Sequence, residues 1–498
     1  MQKSQHQRLK SCPDDFFINK PSSFKNVLLK MQLADTNVTL HHRTTRSCSR
    51  PGSRSPSRSP ARSSSSATTE FGSDFTILLS DELLLRILAA VPDRHFDSVG
   101  LVSKRWLRLV DRLRRSLTLL DWSFLAGPSH RLTSRFHDLT EVDLVPAIFR
   151  RPPSPSPLVF TRGPYSLQMD PHSVPYAAEL PVIDSEAIDH GLDVLSRACP
   201  ALQRLCSFAP LDNGAGLSTV AIECATLQEL VLHRCSDAAL RPLSAFKNLQ
   251  IVRLVASMDG LYTGPGVSDV GLTILAHGCR RLVKLDLGGC EASFDGISAI
   301  GRCCAMLEEL TICDDRRMEG GWLAALSYCG NLKTLRLQSC RKIDCLPVPL
   351  EHLGTCPAIE RLLLERCQLR DKTSLKALFM VCETVKEIGF QQCWGLDDDM
   401  FGISIICRRV KLLSLEGCSK ITTEGLESVI LALNELQSLV VISCNGIRDD
   451  AISPALASLF STLKEFKWRP DSKYVLHMNL EGTGIGKKGG KFLRASRG

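Results

Sequence analysis

Between residues 199 and 469 apolar side chains return in one figure: leucine, two variable positions, leucine, one variable position, leucine, two variable positions, cysteine. The figure starts at Leu202, Leu227, Leu249, Leu282, Leu307, Leu332, Ile359, Val385, Val410, Leu436 and Leu463, in steps of 25, 22, 33, 25, 25, 27, 26, 25, 26 and 27 residues. Its alternating middle has the period of a strand, with successive side chains on opposite faces. Stretches such as Leu375–Val381 and Leu426–Leu433 follow at helical length. One strand and one helix cannot bury their own apolar side, but stacked units share a continuous core. The pattern predicts an α/β solenoid over 186–480, about 11 units long, with a curved parallel sheet and helices on its convex side.

Self-similarity at this period with this leucine pattern indicates leucine-rich repeats. It also accounts for the cysteines, spaced eleven apart in CATLQELVLHRC (224–235), CRRLVKLDLGGC (279–290), CGNLKTLRLQSC (329–340), CPAIERLLLERC (356–367), CETVKEIGFQQC (382–393) and CRRVKLLSLEGC (407–418). The first of each pair sits near the helix end, and the second ends the strand and turns inward as a small, weakly polar side chain. Zinc wants locally paired ligands, and no C-x-x-C occurs, so the spacing is read as architecture and no metal is expected. The first repeat departs from the figure at Ser207 and Pro210, and Ser257, Asp315 and Asp471 replace the cysteine in three others. The long step after Leu249 adds MDGLYTGPGVSD (258–269), placed either over the solenoid as a ligand contact or as a passive insertion.

Ahead of the repeats, FTILLSDELLLRILAAVPDRHFDSVGLVSKRWLRLVDRL (75–113) has a different period. Ser80 can cap a helix whose Asp81 and Glu82 suit its positive end. Leu84, Ile87, Leu88 and Val91 follow on one face. Pro92-Asp93 breaks that helix, and a second pattern aligns Val102, Trp106, Leu109 and Leu113. Two or three short helices make a small core, which gains from docking on a partner.

The elements Leu79, Asp81-Glu82-Leu83-Leu84, Ile87-Leu88, Val91-Pro92-Asp93 and Leu101-Val102-Ser103-Lys104-Arg105-Trp106 resemble an F-box, the helical motif that docks on a Skp-type adaptor. Ser80 stands where that motif usually has proline. Together with cysteine-bearing repeats and a basic glycine-rich C-terminal stretch, the layout resembles the plant F-box/leucine-rich-repeat family.

The chain has 498 residues, a formal charge of +8 and 21 cysteines. Residues 1–74 are poor in apolar side chains, and RTTRSCSRPGSRSPSRSPAR (43–62) carries six arginines and no acid, so a disordered basic arm with plausible phosphorylation sites is expected. The F-box is placed at 75–125, an irregular linker with RRPPSPSP at 126–185, and a flexible basic tail at 481–498. Within the linker, LTEVDL (139–144) fits a degenerate repeat. With no apolar signal segment at its start, free thiols in a reducing compartment are expected, in the nucleus and/or cytoplasm, and Asn37-Val-Thr39 is a chance sequon. The longest apolar runs are far short of a membrane span.

Catalytic chemistry finds little support. Gly484, Gly486 and Gly489 match G-x-G-x-x-G, but no βαβ unit follows before Gly498. His41-His42 lacks partners, and Asp397-Asp398-Asp399 reads as a helix start. No cofactor is expected.

The resemblance implies a non-catalytic substrate receptor of a Skp–cullin–F-box ubiquitin ligase. The Skp-type adaptor, and through it a cullin, would be held through Leu79, Leu83, Leu84, Ile87, Leu88, Val91, Pro92, Val102 and Trp106. The target protein would meet the fifth and seventh positions of the strands, on the concave face: His233, Arg253, Asp286, Arg336, Gln338, Glu365, Gln391, Glu416, Lys467 and Arg469. Their mixed charge favours a protein over nucleic-acid phosphate. A repeat scaffold and a small-molecule (hormone) co-receptor are the alternatives on the same fold.

Overall fold

The computed structural model describes residues 75–119, 124–127, 129–144, 158–162, 165–169, 185–208, 211, 214–258, 262–263, 266–314, 317–344, 349 and 353–471. The expected arm at 1–74, the RRPPSPSP stretch and the tail at 481–498 with its glycine motif lie outside these residues. The chain divides into two units at Arg114.

The first unit is helical. A short 3-10 turn at Phe75–Leu78 precedes α1 (Asp81–Ala89), α2 (Phe96–Gly100) and α3 (Lys104–Leu113), with a second 3-10 turn at Asp93–His95. Ser80 takes the cap that its position suggested, its Oγ accepting from Leu83 N at 3.3 Å. Ser103 likewise accepts from Trp106 N and starts α3. Leu84, Leu88, Phe96, Leu109 and Val110 form the core between the helices.

The second unit is built on a 13-stranded parallel sheet. Its strands are β1 (Ser116–Leu119), β2 (Glu141–Leu144), β5 (Arg204–Ser207), β6 (Glu229–His233), β7 (Ile251–Val255), β10 (Lys284–Gly288), β11 (Glu309–Cys313), β12 (Thr334–Gln338), β13 (Arg361–Glu365), β14 (Glu387–Gln391), β15 (Leu412–Glu416), β16 (Ser438–Ile442) and β17 (Glu465–Arg469), in that order. Two hairpins stand apart, β3 (Leu158–Arg162) with β4 (Tyr165–Met169) and β8 (Ser257–Met258) with β9 (Tyr262–Thr263). Helices α4 (His130–Thr133), α5 (Ser185–Ala198), α6 (Ala215–Glu223), α7 (Asp269–Gly278), α8 (Phe294–Cys303), α9 (Trp322–Ala325), α10 (Lys372–Val381), α11 (Asp398–Gly402), α12 (Thr423–Ala432) and α13 (Pro454–Thr462) alternate with them. Strands pack ~4.8 Å apart and helices ~8–10 Å apart, so the sheet bends inward.

Each of the eleven starts read from the sequence lies two residues before a strand. The sheet also begins earlier than expected. Ser116–Leu119 is already a strand, so the helical unit closes at Arg114 instead of 125, and β2 is the degenerate repeat read at LTEVDL, within a stretch otherwise expected to be an irregular linker. The leading position of the β1 repeat is held by Arg114, which hid it from a leucine pattern.

All 18 described cysteines are free thiols, and most are buried. The strand-end thiols donate to carbonyls across the ladder. Cys367 Sγ lies 3.3 Å from Leu337 O and 3.4 Å from Glu365 O, and Cys393 Sγ 3.2 Å from Leu364 O. The helix-end thiols do the same one repeat back, as Cys224 to Cys199 O at 3.4 Å and Cys407 to Cys382 O at 3.5 Å. Those carbonyls belong to helix ends that have no intrahelical partner. A small side chain with a weak donor fits this slot and adds a second contact to carbonyls that already accept from Leu202 N and Val385 N.

Just before each strand-end cysteine, and at the matching Asp314, the backbone turns left-handed. Glycine takes this place at Gly289 (φ 59) and Gly417 (φ 68), but Arg234, Asp314, Ser339, Arg366, Gln392 and Ser443 adopt it with φ of 51 to 55. The turn is held because its N–H bonds the next strand, as Arg366 N to Gln391 O at 2.7 Å and Ser443 N to Arg469 O at 3.0 Å. Aspartates tie neighbouring repeats at their other corner. Asp237 accepts from Ser268 N at 2.8 Å, Asp269 from Ser293 N at 2.8 Å and Asp398 from Thr422 N at 2.8 Å, each at the start of the next repeat's helix.

Candidate functional site

In the helical unit the sequence placed nine residues on an adaptor-facing surface, and the structure sorts them. Leu84 and Leu88 are buried and form the unit's own core, so they cannot meet a partner. Their phase on α1 points them at α3, and a unit this small has no other apolar interior. Leu79, Val91 and Trp106 are half-buried against that core, with Trp106 Nε1 donating to Thr76 Oγ1 at 3.3 Å. Pro92 is exposed. Leu83, Ile87 and Val102 are exposed, at 50%, 52% and 63%.

Two residues missing from that expectation, Leu78 and Leu101, are also exposed. Five of the eleven exposed large hydrophobics among the described residues therefore fall in this one small unit. Such a concentration sets this unit apart from the rest of the described surface, where exposed large hydrophobics are scattered over the much longer repeat unit. The framework beneath it is fixed by Arg105. Its guanidinium donates to Asp81 Oδ1 at 2.7 Å, Thr76 O at 2.9 Å and Leu79 O at 2.6 Å, locking the start of α3 to the approach of α1. The run that resembles the family motif thus does two jobs: Val102 faces out, while Arg105 and Trp106 hold the unit together.

On the inner sheet face the ten expected contacts also divide. His233 is 5% exposed, and its ring stacks on Phe208 with centroids 3.8 Å apart. Burial, then the Arg253 charge, pushes this imidazole down to about 3, so it is neutral at physiological pH. Asp286 is 4% exposed and gripped through Oδ2 by Arg253 Nε at 2.8 Å and Nη2 at 2.7 Å. These two residues are interior groups and not target contacts, because neighbouring strands of this width cover short side chains. Arg336 Nη1 and Gln338 Nε2 both donate to Glu365, at 2.7 and 2.5 Å. Gln391 and Glu416 are half-buried, while Lys467 and Arg469 are exposed.

Third positions, which the sequence reading left out, contribute a ladder of pairs across adjacent strands: Arg204–Glu229 at 2.8 Å, Lys284–Glu309 at 2.9 Å and Arg361–Glu387 at 3.0 Å. Asp143 also meets Arg204 at 3.1 Å, and burial still raises its carboxyl to about 6. Charge on this face is largely cancelled within the sheet, so it presents shape and hydrogen bonds with little net field.

The chemical candidates resolve into caps and core. Asp397 Oδ1 accepts from Met400 N at 3.0 Å and starts α11, and Asp398 serves the next repeat. Thiols such as Cys224 and Cys279 are pushed up to about 12 by burial, which keeps them protonated and poorly nucleophilic. Among the described residues no group of three or more His, Cys, Asp or Glu is placed to hold a metal ion, and no helix is long and apolar enough to cross a membrane.

No family model matches the chain. Its sequence is 25% identical over 432 residues to F-box protein MAX2 homolog A of Petunia hybrida, covering 74% of this chain and 56% of that protein. It is 27% identical over 165 residues to the putative RNA-binding protein EEED8.10 of Caenorhabditis elegans, covering 31% of this chain and 21% of that one. The chain thus spans only about half the length of the first relative and about a fifth of the second. Among solved structures, the crystal structure of the Rad7 and Elc1 complex in yeast aligns with a TM-score of 0.36 at 13% identity, over 90% of this chain and 98% of that one.

Proposed function

We propose that this chain is a leucine-rich-repeat F-box protein and serves as the target-recognition subunit of an SCF-type ubiquitin ligase, a reading supported by its likeness to a plant F-box protein and by its repeat sheet. The observation that carries the reading is the exposed set Leu78, Leu83, Ile87, Leu101 and Val102, left over after the helical unit has closed its own core. A Skp-type adaptor covers this set and joins the chain to a cullin. The repeats hold the target protein for ubiquitination and degradation, in the nucleus and/or cytoplasm. Ubiquitin transfer takes place on other subunits. What this chain supplies is proximity, which raises the effective concentration of the target beside the conjugating enzyme.

The test is capture of a purified Skp-type adaptor by the full chain and by a variant with Leu83→Asp and Val102→Asp. Both side chains are exposed, so the variant keeps its fold and loses the adaptor. Equal capture by the two proteins, or none by either, removes the proposal and leaves a repeat scaffold.

A further inference from the structure

All strands of the sheet are parallel, so their C-terminal ends lie along one rim. The chain leaves β13 through Arg366, Cys367, Gln368, Leu369 and Arg370, leaves β14 through Gln392, Cys393, Trp394 and Gly395, and leaves β15 through Gly417, Cys418, Ser419 and Lys420. The cysteines, Leu369 and Gly395 are buried. Arg366, Arg370, Ser419 and Lys420 are exposed, and so is Trp394, at 57%.

These segments are held rigidly side by side. Leu369 N donates to Trp394 O at 2.7 Å, Trp394 N to Cys367 O at 2.8 Å, and Gln392 N to Glu416 O at 2.6 Å. A Cβ built on Gly395 (φ 82) would stand 2.6 Å from Arg370 Cγ, which places the arginine stem directly beside the residue after the tryptophan. The aromatic side chain is therefore mounted on a fixed backbone, with the Arg370 stem beside the next residue.

Among the described residues, Arg366, Arg370 and Lys420 make no ion pair. The acids closest in sequence are already engaged. Asp371 accepts from Thr373 N and Ser374 Oγ, Asp397 from Met400 N, and Asp398 from Thr422. Of the acids in these turns only Asp399, exposed in the first turn of α11, is not held by a cap. This contrasts with the inner face, where basic and acidic side chains are matched strand by strand. An exposed tryptophan on a rigid turn has a large apolar area to lose from water, and arginines beside it bond carboxylates in fixed geometry.

From this contrast we propose that the rim around Trp394 receives an acidic peptide segment of the target, with carboxylates on Arg366, Arg370 and Lys420 and an apolar side chain on the Trp394 ring. The inference rests on the receptor reading above and names where, and by what chemistry, the target is held.

The test uses the full chain and a short fluorescein-labelled peptide of glutamates flanking one phenylalanine, read by anisotropy. A lysine version of the peptide and a labelled oligouridine are the comparison probes. Expected is a Kd below about 100 μM for the glutamate peptide at low salt, weakened at least about tenfold by Trp394→Ala and by Arg366→Glu with Arg370→Glu. Neither comparison probe should compete. All three substituted positions are exposed, and unchanged thermal melting of the variants checks the fold. Absence of binding at that level, equal binding of the lysine peptide, indifference to the substitutions, or preference for oligouridine at these residues overturns the proposal. Adaptor capture, measured on the same proteins, separates the two ideas. If it fails in the wild-type chain while the glutamate peptide binds at the rim, the receptor reading falls and the acidic-peptide site stands.

Discussion

Leu83 and Leu84 are neighbours in sequence with opposite fates, and exchanging each for alanine separates folding from docking in the helical unit. Leu84 is fully enclosed among Leu88, Phe96, Leu109 and Val110. Its truncation leaves a cavity and costs ~2.7–5 kcal/mol. A unit of about 40 residues holds ~2–6 kcal/mol in total at usual stabilities per residue, so Leu84→Ala melts it. Leu83 is half exposed, and burying a whole leucine is worth only ~1.5–3 kcal/mol, so Leu83→Ala costs about 1 kcal/mol and leaves the helices standing. Hydrogen exchange of the full chain, followed in peptides covering α1 to α3, reads folding, and surface plasmon resonance against a purified Skp-type adaptor reads docking. Leu84→Ala should lose both protection and adaptor. Leu83→Ala should keep protection and bind the adaptor more weakly. Retained protection in Leu84→Ala, or wild-type affinity in a protected Leu83→Ala, would refute the division into core and face drawn here.

Further outcomes are expected in the repeat unit. The fold lowers the His233 imidazole from 6.5 to about 3, so as pH falls the unfolded chain takes up its proton first. Stability from this site is complete above about pH 6.5 and drains at up to about 1.4 kcal/mol per pH unit toward about 3; His233→Phe, stacked on Phe208, should flatten that slope in urea melts at pH 5 and 7.5. Arg253→Ala strands the buried Asp286 carboxylate and should cost ~3–5 kcal/mol by the same melts, more than removing the inter-strand pair Lys284–Glu309, which is worth ~0–1 kcal/mol. Ser443→Gly relieves a left-handed turn at φ 54 and should gain about 0.5–1 kcal/mol, whereas Gly417→Ala, whose Cβ would meet Gln392 Cγ at 3.0 Å, should lose about as much.

The solenoid was legible because its period is enforced by packing: a strand side chain facing the core every second residue, and a helix returning the chain to the next register. That logic located every strand from β5 to β17 outside the two hairpins, and it missed β1, where Arg114 holds the leading place. The cysteine columns were read correctly as architecture, but a one-dimensional pattern gives no hint that each thiol donates to a neighbour's carbonyl, as Cys393 does to Leu364 O. Docking residues were harder. Helical phase puts Leu84 and Ile87 on related faces, and only the position of α3 decides that one is core and the other surface. On the sheet, alternation correctly turned His233 and Asp286 away from the leucines, yet Phe208 and Arg253 close over them. Trp394 lies beyond the alternating segment, where the leucine template assigns no direction at all.

The aspartates that reach from one turn of the solenoid to the next give the molecule a polarity of dependence. Asp237, Asp269 and Asp398 each complete a helix that the chain has yet to make. A block can therefore be duplicated or excised cleanly only when donor and recipient are carried in phase, a whole step of about 25 residues at a time. An insertion that falls between the carboxylate and its recipient orphans a helix start even when every leucine stays in place. Gene-length variation in such a chain is thus permitted in whole steps and penalised in fractions of one.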